Sequence, residues 1–292
     1  MNKVFDFFLY SFAWFCALIL LGAFSSLIIF ILVQGLPALG FNLIFGSTGI
    51  IDALLLKRVV SDGLLPAIVG TLMLILLALS TALPLGLGAG IYLAEYAGKR
   101  SKGVFSLIFD LLAGIPSIVI GLFGFSLTLY LHKSFTSLTP CLLISGLSLA
   151  LLILPYLIRS TQTALEDLPS SLRLTAAALG AEKSATIRFV LLPQAAPGIF
   201  SGIVLAIGRA AEDTAVIMLT GVVITAGIPS SLFHKYEALP FYIYYMASQF
   251  GNQQELQQGF GAALILLSLC ALLFTLAWLI RKKVTARLLY HH

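Results

Sequence analysis

The sequence predicts an all-α membrane protein with six transmembrane helices, and three observations predict it. Of 292 residues, 60% are hydrophobic and 10% charged, whereas an ordinary soluble domain is about 25% charged. The mean hydropathy is strongly positive. Apolar runs also recur at the length a bilayer demands, since a hydrocarbon core about 30 Å thick needs about 20 residues of helix. They lie at 11–33, 66–93, 104–130, 140–158, 197–220 and 259–280.

The whole chain, 1–292, reads as a single membrane domain, with core spans inside 66–280 and an N-terminal anchor at 11–33. The first run is too long for the core of a signal peptide, and no small-residue cleavage site with a polar spacer follows it, so it reads as a retained anchor. Six spans put both termini on one side, and the basic residues say which. Lys3, Lys99, Arg100, Lys102, Arg159, Arg173, Lys183, Arg188, Arg281, Lys282, Lys283 and Arg287 fall on one side, against Lys57, Arg58, Lys133 and Lys235 on the other. Basic residues are retained on the cytoplasmic side, so both termini are predicted cytoplasmic, in a bacterial inner membrane. The net charge of +5 follows from this bias and from attraction to anionic membrane lipids, and gives no reason to invoke nucleic acid. Cys16, Cys141 and Cys270 fall in or at the ends of separate runs, without metal-ligand spacing, and read as small core residues.

The connection from Arg159 to Ala196 is long and polar. Pro169, Ser170 and Ser171 form a helix start, Gly180 a helix stop, and a second helical run reaches Pro193. Leu172, Ala176 and Leu179 share a face at spacings of four and three, a stripe suited to a partner's groove or to a lipid surface. On the other side, Gly221 to Gln258 carries Phe241, Tyr242, Tyr244, Tyr245 and Phe250, aromatics of the membrane interface or of an outer docking mouth.

Several chemistries are missing from the sequence. PLGLGAG at Pro84 to Gly90 is superficially like a dinucleotide loop, but it lies inside an apolar run with no preceding strand. Gly86 with Gly90, and Gly198 with Gly202, have instead the four-residue spacing that lets membrane helices approach closely. No GxxxxGK[ST] loop occurs, so any ATP, with its magnesium, must be bound by a partner; the chain itself calls for no cofactor and no metal. No HExxH, GxSxG or Cys/His set is present, and His132, His234, His291 and His292 lie in loops or at the tail. The chain is not read as an enzyme.

The fifth run contains the informative chemistry, Arg209, Glu212 and Asp213 in GRAAEDTA, eleven to fifteen residues beyond Gly198 and therefore mid-membrane. Acids three and four positions after an arginine reach its guanidinium on one helix face. Unpaired charge at that depth costs several kcal/mol, so pairing, a wet cavity or both are expected. Arginine suits an oxyanion because its planar donors bind two oxygens and it keeps its charge, although two ionised acids beside it leave a net negative cluster. Self-neutralisation that only fixes helix packing is the plainer reading. Asp110 lies about two turns into the third run, and Pro116, with Gly114 and Gly121, marks a bend or close contact in a pathway wall.

The segment from Leu174 to Pro193 resembles the EAA loop of ABC-importer permeases, whose pattern is EAA, three residues, Gly, nine residues, Ile, one residue, Leu-Pro. Here it runs Leu174, Thr175, Ala176, three residues, Gly180, nine residues, Val190, Leu191, Leu192, Pro193. Leu174 stands where the pattern has Glu and Thr175 where it has the first Ala. The resemblance implies a type I importer permease fold with a coupling helix between spans 4 and 5. It also implies an ATPase contact made by Leu174, Thr175, Ala176, Gly180, Ala181 and Pro193. Three further segments are similar to phosphate-importer permeases of the A type: Gly70 to Tyr96, Leu111 to Gly124, and Gly208 to Ala215, against a pattern close to GRAxGETA. That likeness implicates Arg209 and Asp213 in a phosphate pathway and leaves Glu212 as an extra acid. It implies a related second permease, two ATPase subunits and an external phosphate-binding protein as partners. An importer of another oxyanion (molybdate, sulfate or phosphonate) and a proton-coupled transporter relaying through Asp110, Glu212 and Asp213 are the rival readings.

Overall fold

The computed structural model describes residues 3–46, 63–134 and 139–290. The topology expectations resting on Lys57 and Arg58, and the two terminal histidines, lie outside the described residues. The chain forms α1 (Lys3–Gly35), a 3-10 turn at Leu36–Ala38, α2 (Phe41–Phe45), α3 (Leu65–Ile91), α4 (Lys99–Gly114), α5 (Ser117–His132) and α6 (Leu142–Glu166). It continues through α7 (Ser170–Ala178), α8 (Lys183–Thr186), α9 (Leu192–Glu212), α10 (Ala215–Thr220), α11 (Leu239–Gln249) and α12 (Gln253–Tyr290). Two π turns, Tyr92–Tyr96 and Ile187–Leu191, extend α3 and join α8 to α9.

Among the described residues, five continuous stretches are long and apolar enough to cross a membrane: Phe5–Ala38, Leu65–Tyr96, Leu142–Glu166, Lys183–Glu212 and Gln253–Lys283. The α4–α5 pair makes a sixth only if both helices count as one span, because they meet at 94°. The third span expected over 104–130 is thus two helices, and the break between them falls at Pro116, where a bend was expected. Pro116 has no amide hydrogen to continue α4 and forces its predecessor out of helical geometry, so Ile115 is extended (φ −68°, ψ 128°). The fifth run, expected as one helix over 197–220, ends at Glu212 and restarts at Ala215. The fourth and sixth spans overrun their expected bounds of 140–158 and 259–280, because amphipathic polar turns continue each helix beyond its apolar run.

Helix α6 is the centre of the bundle, packed between the two glycine pairs. On one side a Cβ at Gly86 would lie 2.6 Å from the Leu157 Cβ, and one at Gly90 would lie 2.6 Å from the Thr161 Cβ and 2.9 Å from the Ile158 carbonyl. On the other side Gly198 closes on Ala164 at 2.6 Å and Gly202 on the Ser160 hydroxyl. Both four-residue spacings thus mark seams against the same helix, where absent side chains let backbones approach. Leu149, Ile153 and Leu157 of α6 fill the core with Leu74, Ile75, Ala206 and Ile217.

Pro193 explains the second π turn. It cannot donate to the preceding helical turn, and the wider turn at Ile187–Leu191 absorbs the missing bond without breaking the 30-residue run Lys183–Glu212. At the far end of α6, the Leu142 and Leu143 amides donate to the His234 and Leu232 carbonyls at 3.0 and 2.8 Å, which satisfies two otherwise orphaned donors. Helix α1 lies outermost against α12, with Phe30 edge-on to Phe260 at 5.5 Å, and its remaining surface is exposed apolar side chain.

Candidate functional site: a charged helix break and a projecting loop

The register of α9 against α6 gives the depth of the charged cluster. The helices run antiparallel with Gly202 beside Ser160. Arg209 is seven residues further on, about 10 Å, level with residue 153 and so near the middle of Leu142–Glu166. Four residues later the helix stops. Asp213 takes extended geometry (φ −77°, ψ 115°) and its Oδ1 accepts the Val216 amide at 2.8 Å, so its carboxylate caps the first turn of α10. The restarted helix is tied back by Thr220, which donates to the Ser145 hydroxyl at 2.8 Å. Non-helical backbone at membrane depth survives only where protein or a wet cavity satisfies it, and here the Asp213 carboxylate and buried surroundings do so.

Both acids reach the arginine. Arg209 Nη1 donates to Glu212 Oε1 at 2.6 Å, and Nη2 stands 3.7 Å from Asp213 Oδ2. The two carboxylates differ in access: the Asp213 side chain is 3% exposed and that of Glu212 64%. Asp213 is thus part of the scaffold, while Glu212 borders a cleft of about 480 Å³ lined by Gly208, Ile243, Leu267 and Phe274. The Arg209 Nε is buried without a partner among the described residues. The cluster presents one guanidinium with Nη1 taken by an exposed acid and Nη2 close to a buried one.

The second candidate is the loop from Ser170 to Pro193. Helix α7 ends where Gly180 adopts φ +77°, a conformation natural to glycine, and the Ala181 amide closes on the Ala176 carbonyl at 3.0 Å. The expected stripe of Leu172, Ala176 and Leu179 is not presented together: Ala176 is buried and Leu172 packs against Leu165 and Leu191. The apolar groups that project are Leu174, 69% exposed, Leu179, 83% exposed, and Phe189 on the π turn. The stripe fails because α7 turns Leu172 and Ala176 to the bundle and leaves only Leu179 of the three outside. Thr175, Gly180 and Ala181 are exposed beside Leu174, and Pro193 is half-buried in the α9 entry.

Three ion pairs that the sequence did not reveal fasten this end of the bundle. Arg173 Nη2 lies 2.6 Å from Glu95 Oε1, Lys102 Nζ lies 2.6 Å from Glu166 Oε1, and Arg159 pairs with Asp110 while also donating to the Ser106 carbonyl at 2.9 Å. Arg159 lies on α6, not in the connection where its charge first placed it. Asp110 is occupied by this pair and lies away from Arg209, on the helix before the Pro116 bend. At the opposite end Glu237 is buried, and its Oε1 accepts the Ala226 and Gly227 amides at 2.9 and 2.7 Å. Burial pushes its carboxyl above the ordinary value, with the two amides opposing.

A bent-span helical bundle with a projecting helix–glycine–helix loop between its long central spans defines a membrane permease. Residues 86–286 match the model of the binding-protein-dependent transport system inner membrane component family, and the chain belongs to that family. It is similar to the phosphate transport system permease protein PstA 1 of Mycobacterium tuberculosis (strain CDC 1551 / Oshkosh), at 37% identity over 78% of this chain and 73% of the relative. With PstA of Haemophilus influenzae (strain ATCC 51907 / DSM 11121 / KW20 / Rd) it shares 31% identity over 87% of this chain and 86% of that one. Among solved structures, a chain of a bacterial ABC transporter involved in import of the acidic polysaccharide alginate superposes with a TM-score of 0.63, covering 97% of this chain and 100% of the other at 16% identity. That likeness is one of fold.

Proposed function

We propose that the chain is the transmembrane permease subunit of an ATP-driven importer of inorganic phosphate, forming half of a translocation pathway with a related second permease. The similarity to PstA proteins across most of the chain carries the substrate. The loop at Ser170–Pro193 supports the coupling, because Leu174 and Leu179 project where a partner cleft would receive them. In this reading two ATPase subunits hold ATP and magnesium, an external phosphate-binding protein delivers substrate, and the permease makes no covalent bond. Both termini and the loop face the cytoplasm, as the basic residues require.

ATP-driven closure of the ATPase pair would displace α7 and rock the spans between inward- and outward-facing arrangements. Arg209 offers an oxyanion its planar donors once Glu212 swings away, and Asp213 keeps the break in shape. Selectivity rests mainly on the binding protein.

Uptake of radiolabelled phosphate by cells lacking and regaining the gene tests this, with sulfate, molybdate and phosphonate as competitors and an ATPase-inactive partner as control. The reading requires that phosphate uptake be lost and restored, and that it need the ATPase. Unchanged phosphate uptake with loss of another oxyanion refutes the substrate, and uptake that survives ATPase inactivation refutes the coupling.

A further inference from the structure

We infer that Glu95 and Arg173 form a strut through which displacement of α7 reaches the core spans, so that both act as positioning residues for transport. The inference rests on the ATP-coupled reading above and adds to it a specific path for the force.

This pair is the charged link between α7 and the spans. Helix α7 follows α6 after three residues, packs on its own loop against α8 and the second π turn, and sets Leu172 against the cluster that contains Leu165 and Leu191. Arg173 leaves that helix inward and joins three elements with one side chain. Its Nη2 and Nε reach Glu95 Oε1 at 2.6 and 3.1 Å in the π turn that ends α3. Its remaining donors take the Leu165 carbonyl in the last turn of α6 at 2.8 Å and the Leu168 carbonyl just beyond it at 3.1 Å. Two guanidinium nitrogens on one carboxylate fix direction as well as distance, which a lysine cannot do.

Glu95 is held from the other side of the loop too. Lys183, the first residue of α8, donates to the Glu95 carbonyl oxygen and stands 4.5 Å over the Tyr96 ring. The loop thus grips the end of α3 from both of its helices, α7 and α8. The Glu95 side chain is 7% exposed, so solvent screens the pair far less than it would a surface bridge. Glu95 itself lies in the π turn Tyr92–Tyr96 that ends α3, and Lys183 stands just before the π turn Ile187–Leu191 that leads into α9. Force entering at Leu174 or Leu179 therefore has a stiff route into α3 and α6, and α3 is sealed to α6 by Gly86 and Gly90.

The test uses the full complex with its partner permease, ATPase subunits and binding protein in proteoliposomes, with ATP hydrolysis and phosphate uptake measured on the same vesicles. Glu95→Gln and Arg173→Met should assemble and hydrolyse ATP while phosphate moved per ATP falls at least about tenfold, because one partner of a withdrawn pair is lost. Arg173→Lys should fall between them and the parent. A covalent replacement separates transmission from mere stability. In a background with Cys16, Cys141 and Cys270 changed to Ala, the double variant Glu95→Cys with Arg173→Cys should be uncoupled, and a short bifunctional thiol reagent should restore phosphate moved per ATP. Unchanged phosphate per ATP in the Gln and Met variants overturns the strut, as does a parallel loss of hydrolysis and assembly that the cross-link does not reverse. Parent uptake that is independent of the ATPase overturns the coupled reading itself, and is seen in the parent before any strut variant is made.

Discussion

Replacing Gly90 by Ala tests whether the α3–α6 seam holds the bundle together. The added Cβ would stand 2.6 Å from the Thr161 Cβ and 2.9 Å from the Ile158 carbonyl, where relaxed carbon contacts need about 3.5–4.0 Å. The clash is against backbone and a β-branched residue, so no flexible tip can swing aside, and the helices must separate by roughly 1 Å. Overpacking of this kind costs about 1–3 kcal/mol, a factor of about five to over a hundred in the folding equilibrium. Gly88 is the internal control. It lies two residues earlier on the exposed face of the same helix, with nothing within 4 Å of its Cβ position, so Gly88→Ala should be neutral or stabilising. Unfolding of the purified protein in detergent, followed by circular dichroism against added denaturant, reads the difference. Gly90→Ala should unfold earlier than the parent and Gly88→Ala no earlier. Coincident transitions for the two variants would refute the argument that the four-residue spacing marks a packed seam.

Three other substitutions probe the remaining sites. Arg209→Ala should abolish phosphate uptake while leaving assembly and basal ATP hydrolysis largely intact, and normal uptake by this variant would assign the cluster to packing. Asp213→Asn keeps an acceptor for the Val216 amide whereas Asp213→Ala removes it, so only the alanine variant should lose the cap, at about 1 kcal/mol in thermal unfolding. Glu237 predicts a pH dependence. Burial raises its pKa above 4.5, so the folded chain holds the proton more tightly than the unfolded one; the resulting stability is complete below the unfolded pKa and is lost as pH rises through the raised value. Hydrogen exchange across residues 221–238 should therefore quicken, relative to its intrinsic rate, as pH rises above about 4.5, and Glu237→Gln should flatten that slope; an identical slope in the variant would remove Glu237 as its source.

What was legible in the sequence was whatever a single helix writes into its own periodicity. Gly86, Gly90, Gly198 and Gly202 announced close seams because their spacing is local, although nothing in it said that both pairs close on α6. Arg209, Glu212 and Asp213 could be paired by counting along a helix, and all are within reach of one another. The break between Glu212 and Ala215 was not legible, since the run stays apolar on both sides and contains no proline or glycine between Arg209 and Thr220. It exists because Asp213 can cap a new turn and Thr220 can bond to Ser145, which is 75 residues away in sequence. The same distance hid Glu95, 78 residues before Arg173, and placed Arg159 in a loop when its partner is Asp110 on another helix. The stripe of Lys102, Ser106 and Asp110 on α4 is turned towards Glu166 and Arg159 of α6. In this bundle these residues face protein and the apolar residues Val104, Leu107, Ile108 and Leu111 face outward, the reverse of a soluble helix.

The distribution of these contacts also says where the protein can move. Helices α3, α6 and α9 are joined along their lengths by glycine seams, and rearranging any pair would open backbone-to-backbone packing over several turns. They form one stiff unit. At its loop end that unit is gripped through Glu95, Leu165 and Leu168 by Arg173, and through Glu166 by Lys102, which fasten α7 and α4 to it beyond their short chain connections. The breaks lie on its margins: the 94° corner at Pro116 and the interruption at Asp213. The two broken segments meet, because α5 packs on α10, with the Gly121 Cβ position 3.0 Å from the Ala215 carbonyl. The margin formed by α5 and α10 contains Asp213 and adjoins Arg209, so the rocking proposed above would change the shape of the pathway there.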